Sequence, residues 1–141
     1  HHKAVVESFI TGRNLCCCVY EKEGLITVSD IGETVPVEST IDRLNNYISK
    51  TSRFKVPADI PEEMTEKIKT AAKRAFRVID CQGFALIDFL LSTDNKLYGT
   101  KVSTVPGFNR ESALTSLLSA GGLTYSEILE IMLNNALESK A

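Results

Sequence analysis

The sequence has no tryptophan, only four prolines among 141 residues, and no long uninterrupted hydrophobic run. A helix that crosses a bilayer needs roughly 20 mostly apolar residues, so a membrane-spanning protein is not indicated. Basic residues are not in excess, because 16 lysines and arginines stand against 18 acidic residues, giving a formal net charge of -2. Without a stripe of positive charge to neutralise phosphates, nucleic-acid binding is not expected.

What the chain does contain is typical of an ordinary globular protein, with 43% hydrophobic and 24% charged residues. Its length fits a single domain, over residues 1–141, that can bury a real core. Residues 1–3, which begin with His1-His2, are interpreted as the remnant of a purification tag. Two adjacent histidines without a third ligand would make a poor metal site.

The four cysteines follow neither a disulfide pattern nor a zinc pattern. Cys16, Cys17 and Cys18 lie together in a strand-like run, whereas Cys81 is far away in the sequence. Alternation along a strand points Cys16 and Cys18 to one face and Cys17 to the other. Neighbouring residues of one strand cannot adopt disulfide geometry. We therefore expect small core thiols in a reducing cytoplasm.

The hydrophobic pattern predicts an α+β fold. Strands are expected near residues 4–10, 13–20 and 24–30, followed by a loop over residues 32–52 that shows no clear period. Further along, residues 84–104 read as two strands joined by a turn, the first of them almost entirely apolar.

Helix signals occupy the remaining segments. Asp59 is expected to cap a helix whose apolar stripe covers one face of the sheet. Asn109 is expected to cap a short helix that ends at Gly121-Gly122. Thr124-Tyr-Ser-Glu127 is a capping box that opens an amphipathic helix to about residue 139. The stripe of the first helix comprises Met64, Ile68, Ala71, Ala72, Ala75, Phe76 and Ile79.

The strand pair at 84–104, continued by Pro106-Gly107-Phe108, is shaped like a platform for a metal ion and phosphates. Asp88 is the only carboxylate in its first strand, and Lys101 lies in the second. Magnesium prefers near-octahedral oxygen ligands, and a lysine ammonium has no lone pair to offer. These side chains therefore do not describe an ordinary magnesium site.

Several segments together resemble the carboxy-terminal part of D-alanine–D-alanine ligases, an ATP-grasp family. The resemblance covers nearly the whole chain and implies a mostly antiparallel sheet covered by helices. The family reaction serves peptidoglycan precursor synthesis. It uses ATP and magnesium to activate a D-alanine carboxylate as an acyl phosphate, which a second D-alanine attacks. The matching segments are residues 6–13, 56–59, 104–112 and 122–129, and the most specific is Thr104-Val-Pro-Gly-Phe-Asn-Arg-Glu-Ser112.

The resemblance also implies that most of the family's charged reactive residues are replaced here. Asp88 matches the aspartate that binds magnesium, but Lys101 and Ser103 stand where a glutamate and an asparagine complete the metal set. Leu86 replaces an arginine that steadies the charged tetrahedral intermediate. Asn46 replaces a lysine that reaches the nucleotide phosphates. Neither ATP nor magnesium is therefore expected to bind strongly.

The nucleotide-lining positions match the family in part. Glu7, Ser8 and Ile10 correspond to the hinge that lines the adenine. Asn14 stands where an acidic residue usually takes the ribose hydroxyls. The resemblance therefore implies a reduced affinity for a nucleotide.

Two matched positions keep the family residue. Gly107 would present its backbone N–H to the oxyanion, and Ser112 would meet the carboxylate of the second D-alanine. Simpler explanations stand beside these roles, because a proline-glycine turn needs Gly107 and a serine near a helix start often makes only local hydrogen bonds. Arg13 and Arg110 are interpreted as surface charges in preference to phosphate ligands.

A specific expectation concerns what replaces the metal. The family frame places residues 88 and 101 on neighbouring antiparallel strands, with their side chains on one face. We predict an Asp88–Lys101 ion pair within about 4 Å, which would lower the pKa of the aspartate, with a hydrogen bond added by Ser103. The alternative is that Lys101 extends into solvent and Asp88 is hydrated.

Three hypotheses of function follow. The first is a non-catalytic pseudoenzyme or inactive fragment, which lacks the amino-terminal and central ligase domains. The second is a ligase that works weakly, or on another amino or hydroxy acid. The third is a module that holds a small molecule or a protein in the old nucleotide cleft or on the domain face. Expected partners are D-alanine or a nucleotide, the missing ligase domains, and a second copy in a homodimer.

Overall fold

The computed structural model describes residues 4–35 and 53–138. Within these ranges six strands form one sheet: β1 (Gly12–Lys22), β2 (Leu25–Val28), β3 (Gly32–Val35), β4 (Arg53–Lys55), β5 (Phe84–Ser92) and β6 (Leu97–Ser103). The described residues also form three helices: α1 (Glu62–Val78), α2 (Ala113–Ala120) and α3 (Tyr125–Glu138).

The central strand of the sheet is β1. One edge of β1 pairs with β5 over residues 12–20, and the other edge pairs first with β3 and then with β2. The strand order is β4-β3-β1-β5-β6 with β2 beside β1, and every pairing is antiparallel. The predicted α+β class, with a mostly antiparallel sheet covered by helices, is confirmed.

Two tight connections fix the register of neighbouring strands. Glu23 and Gly24 join β1 to β2, and both have positive φ angles, 53° and 73°. That combination is typical of a type I′ hairpin, whose twist matches the twist of the strands. The predicted turn between the two later strands is also present, where the Ser92 hydroxyl donates to the Lys96 carbonyl at 3.0 Å.

One face of the sheet is covered by α1. The side chains of Ile68, Ala72 and Phe76 are fully buried against it, so the predicted apolar stripe is confirmed in its central part. Ile79, the last residue of the predicted stripe, is largely exposed. Ile31, just before β3, also belongs to this core, and its sheet residues are Leu15, Cys17, Val19, Ala85, Ile87, Phe89 and Leu91.

The opposite face is covered by α2 and α3. Cys16 and Cys18 belong to this second core and Cys17 to the first, which confirms the predicted alternation. The four cysteines are free. Burial raises the pKa of the Cys16 thiol to about 12, so the thiol stays protonated at neutral pH. The other members of this core are Tyr20, Phe84, Leu114, Leu117, Leu118, Ile128 and Ile131.

Two strand predictions are wrong. Residues 4–11 form no strand, and the side chains of Val5, Val6 and Phe9 are almost fully exposed. A strand needs a neighbour to pair its backbone groups, and β-propensity alone does not supply one. Conversely, β3 lies inside residues 32–52, which are predicted as a loop, because four residues are too few to show a period. The rest of that predicted loop, residues 36–52, lies outside the described residues.

The helix boundaries are close to those predicted, but two caps differ. Pro61, not Asp59, occupies the N-cap of α1 and makes no side-chain cap bond. Ser112, not Asn109, caps α2, and its hydroxyl accepts from the Thr115 N–H at 3.2 Å. The capping box of α3 is confirmed, since Glu127 accepts from the Thr124 N–H at 2.7 Å. No helix among the described residues is long and apolar enough to cross a membrane.

Replacing Phe76 by alanine tests the packing of α1 on the sheet. The Phe76 side chain is 1% exposed, and emptying such a site typically costs about 3–5 kcal/mol of unfolding free energy. Val78→Ala on the same helix is the matched control, because Val78 is 76% exposed and should change stability by no more than about 0.5 kcal/mol. Urea unfolding monitored by circular dichroism measures both. Equal losses in the two variants would contradict this packing.

Candidate functional site

The register of three strands brings four of the candidate reactive positions to one face. Asp88 on β5 lies directly opposite Lys101 on β6 and Cys16 on β1, and Leu86 lies opposite Ser103. Residues directly opposite on antiparallel strands share a face, and Cys16 belongs to the α2 and α3 side. The predicted placement of Asp88, Lys101 and Ser103 on one face is confirmed.

The predicted ion pair between Asp88 and Lys101 is wrong. Among residues 4–35 and 53–138, the ion pairs join Arg13 to Glu33, Lys69 to Glu66 and Lys96 to Asp94, and none joins Asp88 to Lys101. Lys101 is exposed, whereas Asp88 is half-buried. The register between the two strands shifts just after Asp88. Backbone pairing therefore brings the two residues opposite each other without bringing their charged groups into contact.

The direction of the Asp88 pKa is likewise opposite to the prediction. Burial removes water from the carboxylate and raises its pKa above 3.8, and the charge of Lys101 acts in the lowering direction but is the smaller effect. No hydrogen bond from Ser103 contributes to the pKa of this described carboxyl group. Because Lys101 is exposed, water screens its charge. The desolvation of Asp88 therefore dominates its titration.

Magnesium does not fit the side chains at this place. Asp88 offers carboxylate oxygens, but its neighbours are an ammonium at Lys101 and a hydroxyl at Ser103. An ammonium donates hydrogen bonds and repels a cation, while magnesium is held by carboxylates, phosphates and water. In the part of the chain that the structure describes, no group of three or more histidine, cysteine, aspartate or glutamate residues could hold a metal ion.

Leu86 contributes packing where the resemblance implied an arginine. It lies opposite Cys18 on β1 and packs, partly buried, against the core formed with α2 and α3. Burying a hydrocarbon side chain here stabilises the sheet. The same position therefore offers no hydrogen-bond donor or positive charge to a reacting group.

Gly107 and Ser112 come close together at the start of α2. A methyl group placed on Gly107 would approach the Ser112 Cβ atom to 3.9 Å. The Ser112 hydroxyl also lies 3.0 Å from the Thr115 hydroxyl, besides accepting from the Thr115 N–H. The local hydrogen-bond role of Ser112 is thus shown, and its role toward a ligand stays a prediction.

The positions assigned to the nucleotide are spread along the first part of the chain. Glu7 and Ser8 are exposed, and Ile10 is half-buried, in the irregular segment before β1. Asn14 is exposed on β1, two residues before Cys16 and therefore on the face of Asp88. Asn46 lies outside the described residues. The assignment of these residues to adenine and ribose stays a prediction.

Arg13 makes a structural ion pair that the sequence pattern did not reveal. Its Nε and Nη2 atoms donate to the two carboxylate oxygens of Glu33, each at 2.7 Å, and Nη2 also donates to the Asp59 carbonyl at 3.0 Å. These bonds raise the pKa of Arg13 and lower the pKa of Glu33. Since β3 was not predicted, its Glu33 could not be recognised as a partner.

Arg110 is also held by a neighbouring side chain. Its guanidinium carbon lies 4.6 Å from the centre of the Tyr125 ring, a cation–π contact. The Tyr125 hydroxyl in turn donates to the Phe108 carbonyl at 3.1 Å. Arg110 thus ties the loop before α2 to the first turn of α3. Both arginines interpreted as surface charges therefore have structural contacts.

The raised pKa of Asp88 predicts a pH-dependent effect of Asp88→Asn. A carboxyl group with a raised folded-state pKa binds its proton more tightly in the folded protein, so its contribution to stability falls as pH rises from 3.8 through that pKa. The asparagine variant has no such loss. The free energy of unfolding of the variant, relative to that of the parent, should therefore be higher at pH 7 than at pH 4.

Denaturant unfolding of both proteins at the two pH values measures this difference. Asp59→Asn is the control for a general charge effect, because Asp59 is exposed. A relative stability of the Asp88→Asn variant that falls between pH 4 and pH 7 would show that the carboxylate is stabilised in the fold.

The chain is similar to known ligases over nearly its whole length. The family model described as "D-ala D-ala ligase C-terminus" matches residues 1–134. The D-alanine–D-alanine ligase of Acetivibrio thermocellus is 35% identical over 137 residues, which are 96% of this chain and 36% of that protein. D-alanine–D-alanine ligase A of Mesorhizobium japonicum is 35% identical over 143 residues, covering 96% and 39%. The chain thus spans less than two-fifths of the length of these relatives.

Solved structures of such ligases share the fold. The D-alanyl-alanine synthetase A of Vibrio cholerae matches with a TM-score of 0.81 at 28% identity, over 93% of this chain and 40% of that one. The D-alanine–D-alanine ligase of Bacillus anthracis, solved in complex with ATP, matches with a TM-score of 0.77 over 94% and 40%, and at 20% identity it shows the fold alone. The sheet, the hairpin that carries Asp88 and the family match over residues 1–134 lead to one assignment: the chain belongs to the D-alanine–D-alanine ligase carboxy-terminal domain family, of ATP-grasp fold.

Proposed function

We propose that this chain is a D-alanine–D-alanine ligase-like ATP-grasp domain of peptidoglycan precursor synthesis that does not itself catalyse ligation. The observation that carries the proposal is the strand register around Asp88, which sets Lys101 opposite it and Ser103 opposite Leu86. The resemblance assigns metal ligands to positions 101 and 103 and a cationic donor to position 86. Leu86 carries no charge and the Lys101 ammonium has no lone pair for a cation, while Ser103 offers a single hydroxyl oxygen in place of an amide.

The energetics of phosphoryl and acyl transfer support this proposal. Such reactions depend on positioning and on fixed positive charge aimed at oxygens that become more negative. Leu86 packs its hydrocarbon into the core instead. Lys101 carries a positive charge, but its side chain is exposed and forms no ion pair with Asp88. A magnesium ion at Asp88 would be repelled by this ammonium. It would also lose water on entering the half-buried site, which costs free energy.

A second candidate is a weakly active ligase for D-alanine or a related amino or hydroxy acid. The observation in its favour is the close approach of Gly107 to Ser112, both of which match the family. Gly107 has no side chain to block its own N–H, and Ser112 caps α2. In this case the charged groups that this chain lacks would have to come from segments like those that its relatives have outside the matched region. ATP would be the nucleotide, as in the Bacillus anthracis ligase complex.

The chain should form no ADP from ATP in the presence of magnesium and D-alanine. A coupled assay for ADP, compared with a blank that contains no protein, measures the rate. ADP formation well above the blank, and abolished by Asp88→Asn, would establish that Asp88 works in a metal site and would support the weakly active ligase instead. Activity that survives Asp88→Asn but disappears after further purification would come from a contaminating ATPase.

Restoring the family residues should rebuild affinity for Mg-ATP. The variant carries Asn46→Lys, Leu86→Arg, Lys101→Glu and Ser103→Asn together, so that carboxylate, amide and cationic groups return to one frame. At a ligand concentration of about 100 times Kd, binding adds about 2.7 kcal/mol of stability, which shifts the melting temperature by several degrees. The parent should show no shift.

A matched control makes this experiment specific to the site. Thr100→Glu and Thr104→Asn change exposed residues next to the replaced positions and should leave the Mg-ATP titration of the parent flat. Circular dichroism checks that the fourfold variant is folded, since Leu86→Arg puts a charge at a partly buried position. A folded restored variant whose melting temperature does not respond to Mg-ATP would contradict the assigned frame.

A further inference from the structure

The helix α3 has two apolar faces, and the core uses only one of them. Ile128 and Ile131 are buried against the sheet and α2. Leu129, Leu133 and Leu137 recur every four residues on another side of the helix and are 37%, 66% and 70% exposed. Residues at this spacing lie above one another on the helix surface. We call the stripe of these three leucines the outer face of α3.

The outer face continues into an apolar cleft. Met132 and Ala136 neighbour the leucines at helical spacing, and both line a cleft of about 270 Å³. The opposite wall of that cleft includes Phe84, Val105 and Phe108. The Val105 side chain is 87% exposed. Isolated exposed apolar residues are common, but a contiguous apolar surface of this kind usually marks a binding site.

Acidic residues border the outer face on its other side. Glu130 precedes Leu133 by three residues and Leu137 by seven, so it adjoins the stripe. Between Tyr125 and Glu138 the helix contains three glutamates and no basic residue. Glu138 lies at the carboxyl end, where the helix dipole favours a cation over an anion. Among the residues that the structure describes, the last turn of α3 therefore carries no basic side chain.

A groove beside the helix extends the acidic border. It runs between α3 and the turn that joins β1 to β2, and its volume is about 260 Å³. Four carboxylates and one ammonium lie along it. The positive charge of Lys22 attracts the carboxylate of Glu127, whose main partners are the Thr124 hydroxyl and N–H within the capping box. The charged residues of the groove are Lys22, Glu23, Glu127, Glu130 and Glu138.

We propose that the outer face of α3 is the docking site for a basic amphipathic helix of another protein. The apolar side of such a helix would cover Leu129, Leu133 and Leu137. Its lysines or arginines would meet Glu130 on the border and the carboxylates of the groove beyond it. Helix-in-groove recognition of this kind uses apolar anchors at i, i+3, i+4 and i+7 spacing, with charge setting the partner.

Charge decides between this occupant and two others. A second copy of the chain would bring α3 against α3 and set glutamates near glutamates, an arrangement that like charges disfavour. An anionic lipid surface would be repelled by the same carboxylates. A basic helical partner satisfies the leucines and the carboxylates together, and its positive charge would also favour the carboxyl end of α3.

A designed peptide tests the proposal on the intact chain. The probe is a fluorescein-labelled peptide of about 18 residues, roughly five helical turns, with leucines on one side and lysines on the other. Fluorescence anisotropy should show saturable binding to the chain. Leu133→Ser with Leu137→Ser should weaken binding about tenfold or more, because buried anchors carry most of such affinities. Glu130→Lys should weaken it too, and added salt should reduce the charge-dependent part.

Control variants lie on α1, which covers the opposite face of the sheet. Val78→Ser removes a valine that is 76% exposed, and Glu63→Lys reverses an exposed charge. Both should leave peptide affinity within about twofold of the parent. A peptide with glutamate in place of every lysine should not bind. All the substitutions are at exposed residues, so the fold should be retained, and circular dichroism checks this.

Three results would overturn the proposal. The first is the absence of binding by the basic peptide. The second is binding that the leucine substitutions on α3 leave unchanged, or that the acidic peptide reproduces. The third is a dimer of the parent in sedimentation equilibrium that Leu133→Ser dissociates, which would assign the outer face to a second copy of this chain.

Discussion

The pairing of β1 with β5 is the constraint on which the rest of the structure depends. Nine consecutive residue pairs, from Gly12–Ser92 to Tyr20–Phe84, hold the two central strands in one register. Because side chains alternate between faces, that register sends Cys17 to the core under α1 and Cys16 to the core under α2 and α3. A slip of one residue would exchange the two faces of the sheet.

The same register explains why Asp88 differs from its neighbours. Asp88 lies opposite Cys16 and two residues from the packed Leu86, so its side chain is half-buried on a largely apolar face. Burial raises its pKa, and the exposed Lys101 offsets this effect only in part. A carboxylate without the usual ligand partners is thus tolerated by the fold. The surrounding packing, more than any ionic contact, keeps the hairpin of β5 and β6 in place.

The parts of the fold with strong local signals could be predicted from the sequence. The stripe of α1, the Thr124–Glu127 capping box and the alternating cysteines each follow from a period or a hydrogen bond between near neighbours. The short strand β3 could not be predicted, and with it the pairing of Arg13 with Glu33 was missed. At the site, the shared face of Asp88 and Lys101 was predictable. Their separation depends on side-chain directions and a register shift that no sequence period encodes.

The central claim is that the ligase frame is kept while its cation site is not. Titration with manganese, a paramagnetic substitute for magnesium, tests this most directly in an amide NMR spectrum of the isotope-labelled chain in the presence of ATP. The account predicts that the amide signals of Asp88, Lys101 and Ser103 broaden no more than those of distant exposed loops. Selective broadening around Asp88 at low manganese concentration, removed by Asp88→Asn, would contradict it.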